Sequence, residues 1–542
     1  MAVLHPDVTR VRDNPLMRWA LIGGSVVFIL AALAVTAVLL AGVSLGADPE
    51  GLARLKLGAL GGTMRSAVAV TPSGKHVELV RSGAVLTPAK QLSGGERVRV
   101  AVTVKRSGLL SWALGATTTK HLTVTTPSAT VASRWTNVRP DGSVDVRFSG
   151  DVARVTYVVK HQTSERKLPA RARTISLGRP GPAGTASVAA AARPWLRLGK
   201  ATTVDWFPNA GGAVAIVSPK PSGQRGPADP IRLTFSVPVQ QAIGSERPTL
   251  SPATPGSWKQ IDSHTLVFTP SGYGAGFGVP VHLQLPRSID VTGTDGASIS
   301  KTQTVSWISQ PGSTLRLQQL LAQAGYLPVD WSPAGTPVAH TRAAESRAAS
   351  NAPAGTFSWR YPDTPSELKD QWTPGKVDAI TRGAVMMFQN DHSLAVDAVA
   401  GASVWKALLD DTIAGKRRTD GYSYVYVHRD VPQRLHLWHN GKTVLTSPGN
   451  TGVPAAPTQL GTFPVFEHLA VTTMSGTNPD GTKYNDPGIK WVSYFNGGDA
   501  LHSFNRASFG TPQSLGCVEL PLATAAKIWP YTPIGTLVTI EH

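Results

Sequence analysis

At 542 residues the chain is too long for a single hydrophobic core, and at about 100 to 200 residues per domain it calls for several. Only 16% of residues are charged, Gly and Pro number 53 and 42, and Val and Thr are plentiful, a balance that suits short strands joined by turns and leaves modest room for helix. The net charge of +18 is scattered, Lys416-Arg417-Arg418 is the one tight basic cluster beyond the N-terminus, and no nucleic-acid module accompanies it, so wall polymers or lipid headgroups are favoured as polyanions over DNA or RNA.

From Trp19 to Ala47 the chain is uncharged and mostly apolar, longer than the roughly 20 residues that cross a bilayer. Residues 19–47 are therefore expected to form a retained transmembrane signal anchor. Arg10, Arg12 and Arg18 precede it, which puts 1–18 in the cytoplasm and everything after Asp48 outside. With no cysteine near this segment a lipoprotein is excluded.

Residues 50–125 read as a β-domain, on alternations such as Val98-Arg99-Val100-Ala101-Val102. Residues 126–210 repeat the texture and end in the Ala-rich stretch Ala186 to Ala192. In 213–309, Ile231 to Phe235, Thr265 to Thr269 and Val281 to Leu285 are spaced by Pro and Gly turns, the pattern of a β-sandwich. Between 312 and 412 the period changes to that of short helices: Leu317, Leu320 and Leu321 precede Gly325-Tyr326-Leu327-Pro328, and Ala384 to Gln389 leads into Ala402 to Leu409. The Met386-Met387-Phe388 stripe is expected in a helix core. Residues 329–370, rich in Ala, Ser, Thr and Pro, form an insertion. From Gly421 strands return, with the hairpin signal Asn440-Gly441.

Cys517 is the only cysteine, so no intramolecular disulfide forms, and composition leaves two readings open: a buried small hydrophobe or a nucleophile. A thiol is a weak nucleophile until a neighbouring base takes its proton. His502 is the best-placed base, ending an expected strand 15 residues upstream, with a loop containing Asn505, Ser508, Gly510 and Pro512 between. Gly516 permits close substrate approach or a positive φ, and amides around Gly516 and Cys517 are candidate oxyanion donors. His436-x-x-His439, with His468 beside Glu467, is the weak metal candidate. Residues three apart on a strand face opposite sides, so ordinary surface histidines are favoured and no metal is expected.

Three resemblances add to this reading. The Phe235-Ser236-x-Pro238-Val239 and His264 to Gly272 phrases make 213–309 resemble bacterial immunoglobulin-like domains, and 126–210 shares the Ig-like texture. The pattern Leu-Gln-Gln-Leu-Leu, Gly-Tyr-Leu-Pro, then a helix ending in Phe-Gln resembles the three-helix peptidoglycan-binding domain of wall hydrolases; a spacer without ligand is the competing reading. Residues 421–542 look like the L,D-transpeptidase (YkuD-type) catalytic domain, whose signature is a His, a loop, then Ser/Thr-His-Gly-Cys, an apolar residue and commonly Asn or Arg. Here stand His502 and Ser514-Leu515-Gly516-Cys517-Val518-Glu519, with Gln433-Arg434-Leu435, Gly461-Thr462-Phe463 and Tyr494 to Gly498 also matching. Leu515 replaces the signature histidine and Glu519 the usual Asn or Arg.

The fold implied is multidomain and mainly β: an N-terminal transmembrane helix, β-sandwich (Ig-like) stalk domains, a small helical domain and a mixed, β-rich catalytic domain. The resemblance implies Cys517 as nucleophile, His502 as general base, the Ser503 carbonyl orienting the imidazole, and the Gly516 amide in the oxyanion hole. Tyr484, Trp491, Ser514, Leu515 and Glu519 are the candidate substrate contacts, though Tyr484 and Trp491 suit a core equally. The implied reaction is acyl transfer between peptidoglycan stem peptides, donor to acceptor, giving 3-3 cross-links in cell-wall biogenesis, with no cofactor and with carbapenem-type β-lactams as inhibitors. The place implied is the bacterial cell envelope, with the bulk of the chain extracytoplasmic against the wall. An L,D-carboxypeptidase, in which water accepts the acyl group, and a non-catalytic wall-binding scaffold are the alternatives.

Overall fold

The computed structural model describes residues 15–106, 108–209 and 212–542, the side chains of 15–24, 109, 110 and 113 excepted. The chain divides into two compact units, Met1–Ile216 with Thr294–Ile299, and Val217–Gly293 with Ser300–His542.

In the first unit a helix runs over Pro15–Leu40, with Val26, Phe28, Leu33 and Leu39 exposed on it. Among the described residues no helix is long and apolar enough to cross a membrane. The expected cytoplasmic tail, with Arg10 and Arg12, lies for the most part outside the described residues. The expected 19–47 span does not continue as one helix. After Gly42 the chain turns into strand Val43–Ala47, antiparallel to Ala53–Leu57, because Val43 and Leu45 alternate and pack against the core of Leu55, Val98, Val100 and Val102. Seven strands follow in the spatial order Val43–Ala47, Ala53–Leu57, Val85–Pro88, His76–Ser82, Thr63–Val70, Arg97–Lys105, Thr117–Thr125. A second sheet orders Gln162–Ser176, Asp145–Val159, Gly184–Ala191, Thr202–Phe207 and Trp135–Asn137. The Ala-rich stretch is thus an inner strand, and Ala191, Ala192 and Leu196 at its end join the core of the first sheet.

In the second unit Pro280–Gly293 pairs antiparallel with Ser300–Ser309, and Thr265–Pro270 with both Ile231–Phe235 and Gly256–Asp262. The longer helices that follow are α1 (Thr314–Gln323), α2 (Arg342–Ser350), α3 (Ala379–Asp391), capped by Asp378 accepting the Thr381 amide at 2.7 Å, and α4 (Ala402–Ala414), with a single turn at Ser366–Lys369 before α3. Met386, Met387 and Phe388 are buried in α3. The 329–370 insertion is ordered around a two-strand ladder, Val329–Pro333 with Gly355–Trp359, that brackets α2. It is fastened by the fully buried pair Arg316–Glu345 at 2.6 Å.

The helices are not a free-standing bundle. Leu317, Leu320, Phe388 and Leu408 share one core with Tyr273 and Phe277, from the turn between Thr265–Pro270 and Pro280–Gly293, and with Tyr422, Tyr424, Trp438 and Leu537 beyond. Gly383 in α3 lies against Gly535 with no room for a Cβ on either. The Lys416-Arg417-Arg418 cluster is paired locally with Asp411, Asp330, Asp391 and Asp420, which offsets its charge.

The C-terminal part has two sheets. One orders β3 (Lys442–Pro448), β2 (Arg434–His439), β1 (Ser423–His428), β9 (Leu537–Glu541) and β4 (Gly461–Pro464). The other orders β5 (Glu467–Thr477), β6 (Lys483–Asn496), β7 (Asp499–Ser503) and β8 (Val518–Leu520), with α5 (Leu522–Ile528) after it. Between them lies a core of Val425, Leu435, Phe495, Leu501, Val518 and Val538.

Candidate active site

Strands β7 and β8 run parallel, in register Leu501 with Val518, His502 with Glu519 and Ser503 with Leu520. Paired residues point to the same face of a sheet and residues two apart share a face, so His502, Glu519 and Cys517 all address one side. They line a cavity of about 580 Å³ together with Tyr484, Asp486, Tyr494, Asp499, Arg506, Ser514 and Leu515. A neighbouring cavity of about 680 Å³ shares Asp486 and Phe504 but contains neither His502 nor Cys517.

The His502 ring is 2% exposed, and its Nδ1 donates to the Ser503 carbonyl at 2.9 Å. Because a carbonyl only accepts, Nδ1 carries the proton and Nε2 keeps its lone pair, the base form. Burial pushes the ring's pKa below its ordinary value, so it stays neutral. Ser503 ends β7, and its hydroxyl donates to the Lys490 carbonyl on β6 at 3.1 Å.

Cys517 is half-buried, and its thiol donates to the Gly498 carbonyl at 3.5 Å; the imidazole is not among its hydrogen-bond partners. Burial, with the Asp499 and Glu519 carboxylates adding to it, pushes the thiol up to about 12. Both shifts favour a neutral thiol and a neutral imidazole sharing one pocket over a thiolate–imidazolium ion pair. Gly516 has φ +117°, and a Cβ there would run into the Asp499 carboxylate, so only glycine fits. Its amide donates to Ser514 Oγ at 3.3 Å, whereas the Cys517 amide meets no acceptor among the described residues. Of the two, the Cys517 amide is the one left to take a further acceptor.

Of the expected substrate contacts, Ser514 and Glu519 line the cavity but are engaged by the protein itself, and Trp491 lies away from it. Ser514 is buried, and its hydroxyl donates to the Cys517 carbonyl at 2.6 Å, bracing the turn that carries the nucleophile. Glu519 is also buried; its carboxylate is spent on Arg506, which donates from Nε at 2.8 Å and from an Nη at 2.7 Å. Trp491 is partly buried, packs against the core 5.3 Å from the Trp529 ring, and does not line the cavity. Tyr484 and Leu515 do line it, and Gly476 opposite Tyr484 leaves the space that the phenol occupies.

Arg506, Asn450, Asp499 and Gln433 escaped the sequence reading as site residues. Asn450 Oδ1 accepts the Gly510 amide at 2.9 Å. Gln433 ties Arg429 and Thr451 together and takes its own amide to the Gly510 carbonyl. They staple the loop between base and nucleophile, and their only sequence signal was the Gln433-Arg434-Leu435 phrase. His436, His439 and His468 have separate partners in Thr446, Ser423 and the Trp529 carbonyl. Among the described residues no group of three His, Cys, Asp or Glu side chains is arranged for a metal ion.

Residues 413–540 match the YkuD family model, the L,D-transpeptidase catalytic domain. The C-terminal segment is a YkuD-type catalytic domain. No curated protein matches the chain. Similar solved structures include an L,D-transpeptidase from Mycobacterium smegmatis, 13% identical over 60% of this chain and 99% of that one, TM-score 0.20. L,D-transpeptidase 3 from Mycobacterium tuberculosis with a faropenem-derived adduct is 11% identical over 60% of this chain and 97% of that one, TM-score 0.20. The catalytic domain of the Enterococcus faecium L,D-transpeptidase is 25% identical over 22% of this chain and 96% of that one, TM-score 0.21. The assignment rests on the sequence match to the catalytic domain.

Proposed function

We propose that the protein joins peptidoglycan stem peptides through a Cys517 acyl-enzyme. The observation that carries this is the placing of His502 Nε2 and the Cys517 sulfur on one face of a parallel strand pair, lining one cavity. As the donor binds, the thiol turns from the Gly498 carbonyl to Nε2, which takes its proton. The sulfur attacks the carbonyl of the donor's L,D peptide bond, the Cys517 amide receives the developing oxyanion, and the proton passes to the departing D-alanine amine. A side-chain amine of an acceptor stem then displaces the sulfur and leaves a 3-3 cross-link. The test is to incubate the soluble protein with purified muropeptides and read the products by mass spectrometry. Wild type yields cross-linked dimer and Cys517→Ala none; no turnover by wild type refutes the proposal.

A strained lactam presents the same electrophilic carbonyl, so a carbapenem is expected to add one drug mass to wild type and none to Cys517→Ala. The neutral resting thiol favours a second reading, a wall-binding scaffold with an inert cap, and a wild type that takes up no carbapenem decides for it.

The place of action that we propose is the cell envelope. The exposed apolar side chains of the Pro15–Leu40 helix support membrane attachment of the N-terminus. Fractionation of full-length protein against a form starting at Val43 checks this, and equal recovery in the soluble fraction refutes it.

A further inference from the structure

The cavity around Cys517 is charged in a way that the acylation step does not explain. Arg506 is the only Lys or Arg lining it, and both arms of its guanidinium that face Glu519 are engaged there. Asp486 makes no ion pair among the described residues. Asp499 opens β7, next to Gly498, whose carbonyl holds the thiol, and its carboxylate fills the space beside Gly516 where a side chain would stand. Its partners are the Asn496 side-chain amide at 3.4 Å and the Gln459 backbone, and no cation pairs with it among the described residues. A half-buried carboxylate beside a thiol hinders thiolate formation. Its presence calls for a cation in the working enzyme.

We propose that Asp499 seats the ammonium group of the acceptor diamino acid beside the acylated Cys517, and so directs the acyl group to an amine in preference to water. This rests on the acyl-transfer reading above. Once the thioester has formed the sulfur bears no charge, and the carboxylate offers a charge-assisted hydrogen bond to a cation, which a water molecule does not match. The bound ammonium gives one proton to His502 Nε2. The amine lone pair forms the new C–N bond while the C–S bond breaks, the sulfur leaves with the proton held by His502, and the second nitrogen proton goes to solvent. Acyl thioester and ammonium thus become amide, thiol and one released proton.

The test follows full-length protein acylated by a tetrapeptide donor in the presence of a stem acceptor, with cross-linked dimer and hydrolysed tripeptide quantified by mass spectrometry. In Asp499→Asn the ratio of dimer to tripeptide is expected to fall about tenfold, the loss of a charge-assisted bond. Carbapenem acylation of the same variant is expected to quicken, because the charge beside the thiol is gone. Opposite changes in the two steps do not arise from misfolding. In wild type, raising ionic strength should weaken transfer to the stem acceptor but not to hydroxylamine, a neutral nucleophile at the same pH. An unchanged ratio in Asp499→Asn that still acylates, or salt-independent transfer in wild type, overturns the proposal. A wild type that forms no acyl-enzyme with donor or carbapenem refutes the acyl-transfer reading itself, and this proposal falls with it.

Discussion

The surroundings of Cys517 favour the neutral thiol: burial outweighs the Ala500 backbone hydrogen bond that would support a thiolate, and the Asp499 and Glu519 carboxylates add to the burial. The thiolate fraction at neutral pH is thus smaller than that of a free cysteine, whose midpoint is about 8.5. Iodoacetamide labelling of the free protein should keep rising through the alkaline range, without a plateau near that midpoint; mass spectrometry across pH checks this, and a plateau at or below it contradicts the neutral pair. His502 moves the other way. Its pKa is lowered, so the neutral base persists below the ordinary imidazole value of about 6.5. The acid limb of carbapenem acylation is expected below that value, read from the rate of adduct formation against pH. Gly516 sets a stricter limit, since an alanine there meets both a positive φ and the Asp499 carboxylate. Gly516→Ala should cost about 1–3 kcal/mol of stability, read by urea unfolding, and slow acylation by displacing the adjacent nucleophile.

The element that decides the chemistry is the crossover from β7 to β8. Parallel strands need a connection of about a dozen residues or more, and the 15-residue spacing of His502 and Cys517 supplies it. That spacing was legible beforehand, as were the strand character of 421–542 and the hairpin at Asn440-Gly441. Parallel pairing was not, since nothing local in Leu501-His502-Ser503 or Val518-Glu519-Leu520 states which strand each will join. The fate of Glu519 was hidden for the same reason. In sequence it stands where a substrate contact is expected; in the fold Arg506, brought back by the crossover, closes on it and also donates to the Gln513 carbonyl at 3.1 Å. Arg506→Ala leaves a buried carboxylate unpaired and should destabilise by about 1–3 kcal/mol, whereas Arg506→Met with Glu519→Leu recovers much of that loss, in parallel urea melts. Equal losses in the single and double variants contradict a brace by charge pairing.

At the scale of the molecule, the helices of 314–414 are bound into the catalytic segment. Tyr424, Trp438 and Leu537 of its first sheet sit in the same core as Phe388 and Leu408, and the Gly383–Gly535 approach brings α3 onto β9. A fragment starting at Gly421 exposes those aromatic side chains and should unfold at lower temperature than one starting at Ser300, measured by calorimetry on the two. Gly383→Val in the longer fragment should reproduce part of that loss. Helical periodicity identified Met386 to Phe388 as core but did not say against what they pack. In the first unit, likewise, the sharing of Ala191, Ala192 and Leu196 with the preceding sheet leaves no composition change at 126.

By itself the sequence determined the local matters: alternation that makes strands, the helical stretch between them, a single thiol after a glycine, and a histidine at crossover distance. Each follows from side-chain periodicity and backbone freedom within a few residues. The tertiary structure alone decided that Trp491 packs against the core away from the cavity, that Ser514 and Glu519 brace the site, that Val43–Ala47 leaves the helix for a sheet, and that Asp499 stands beside the sulfur. Those outcomes depend on which surfaces and charges meet across long stretches of chain, and a contact between distant residues leaves no periodic trace in either one.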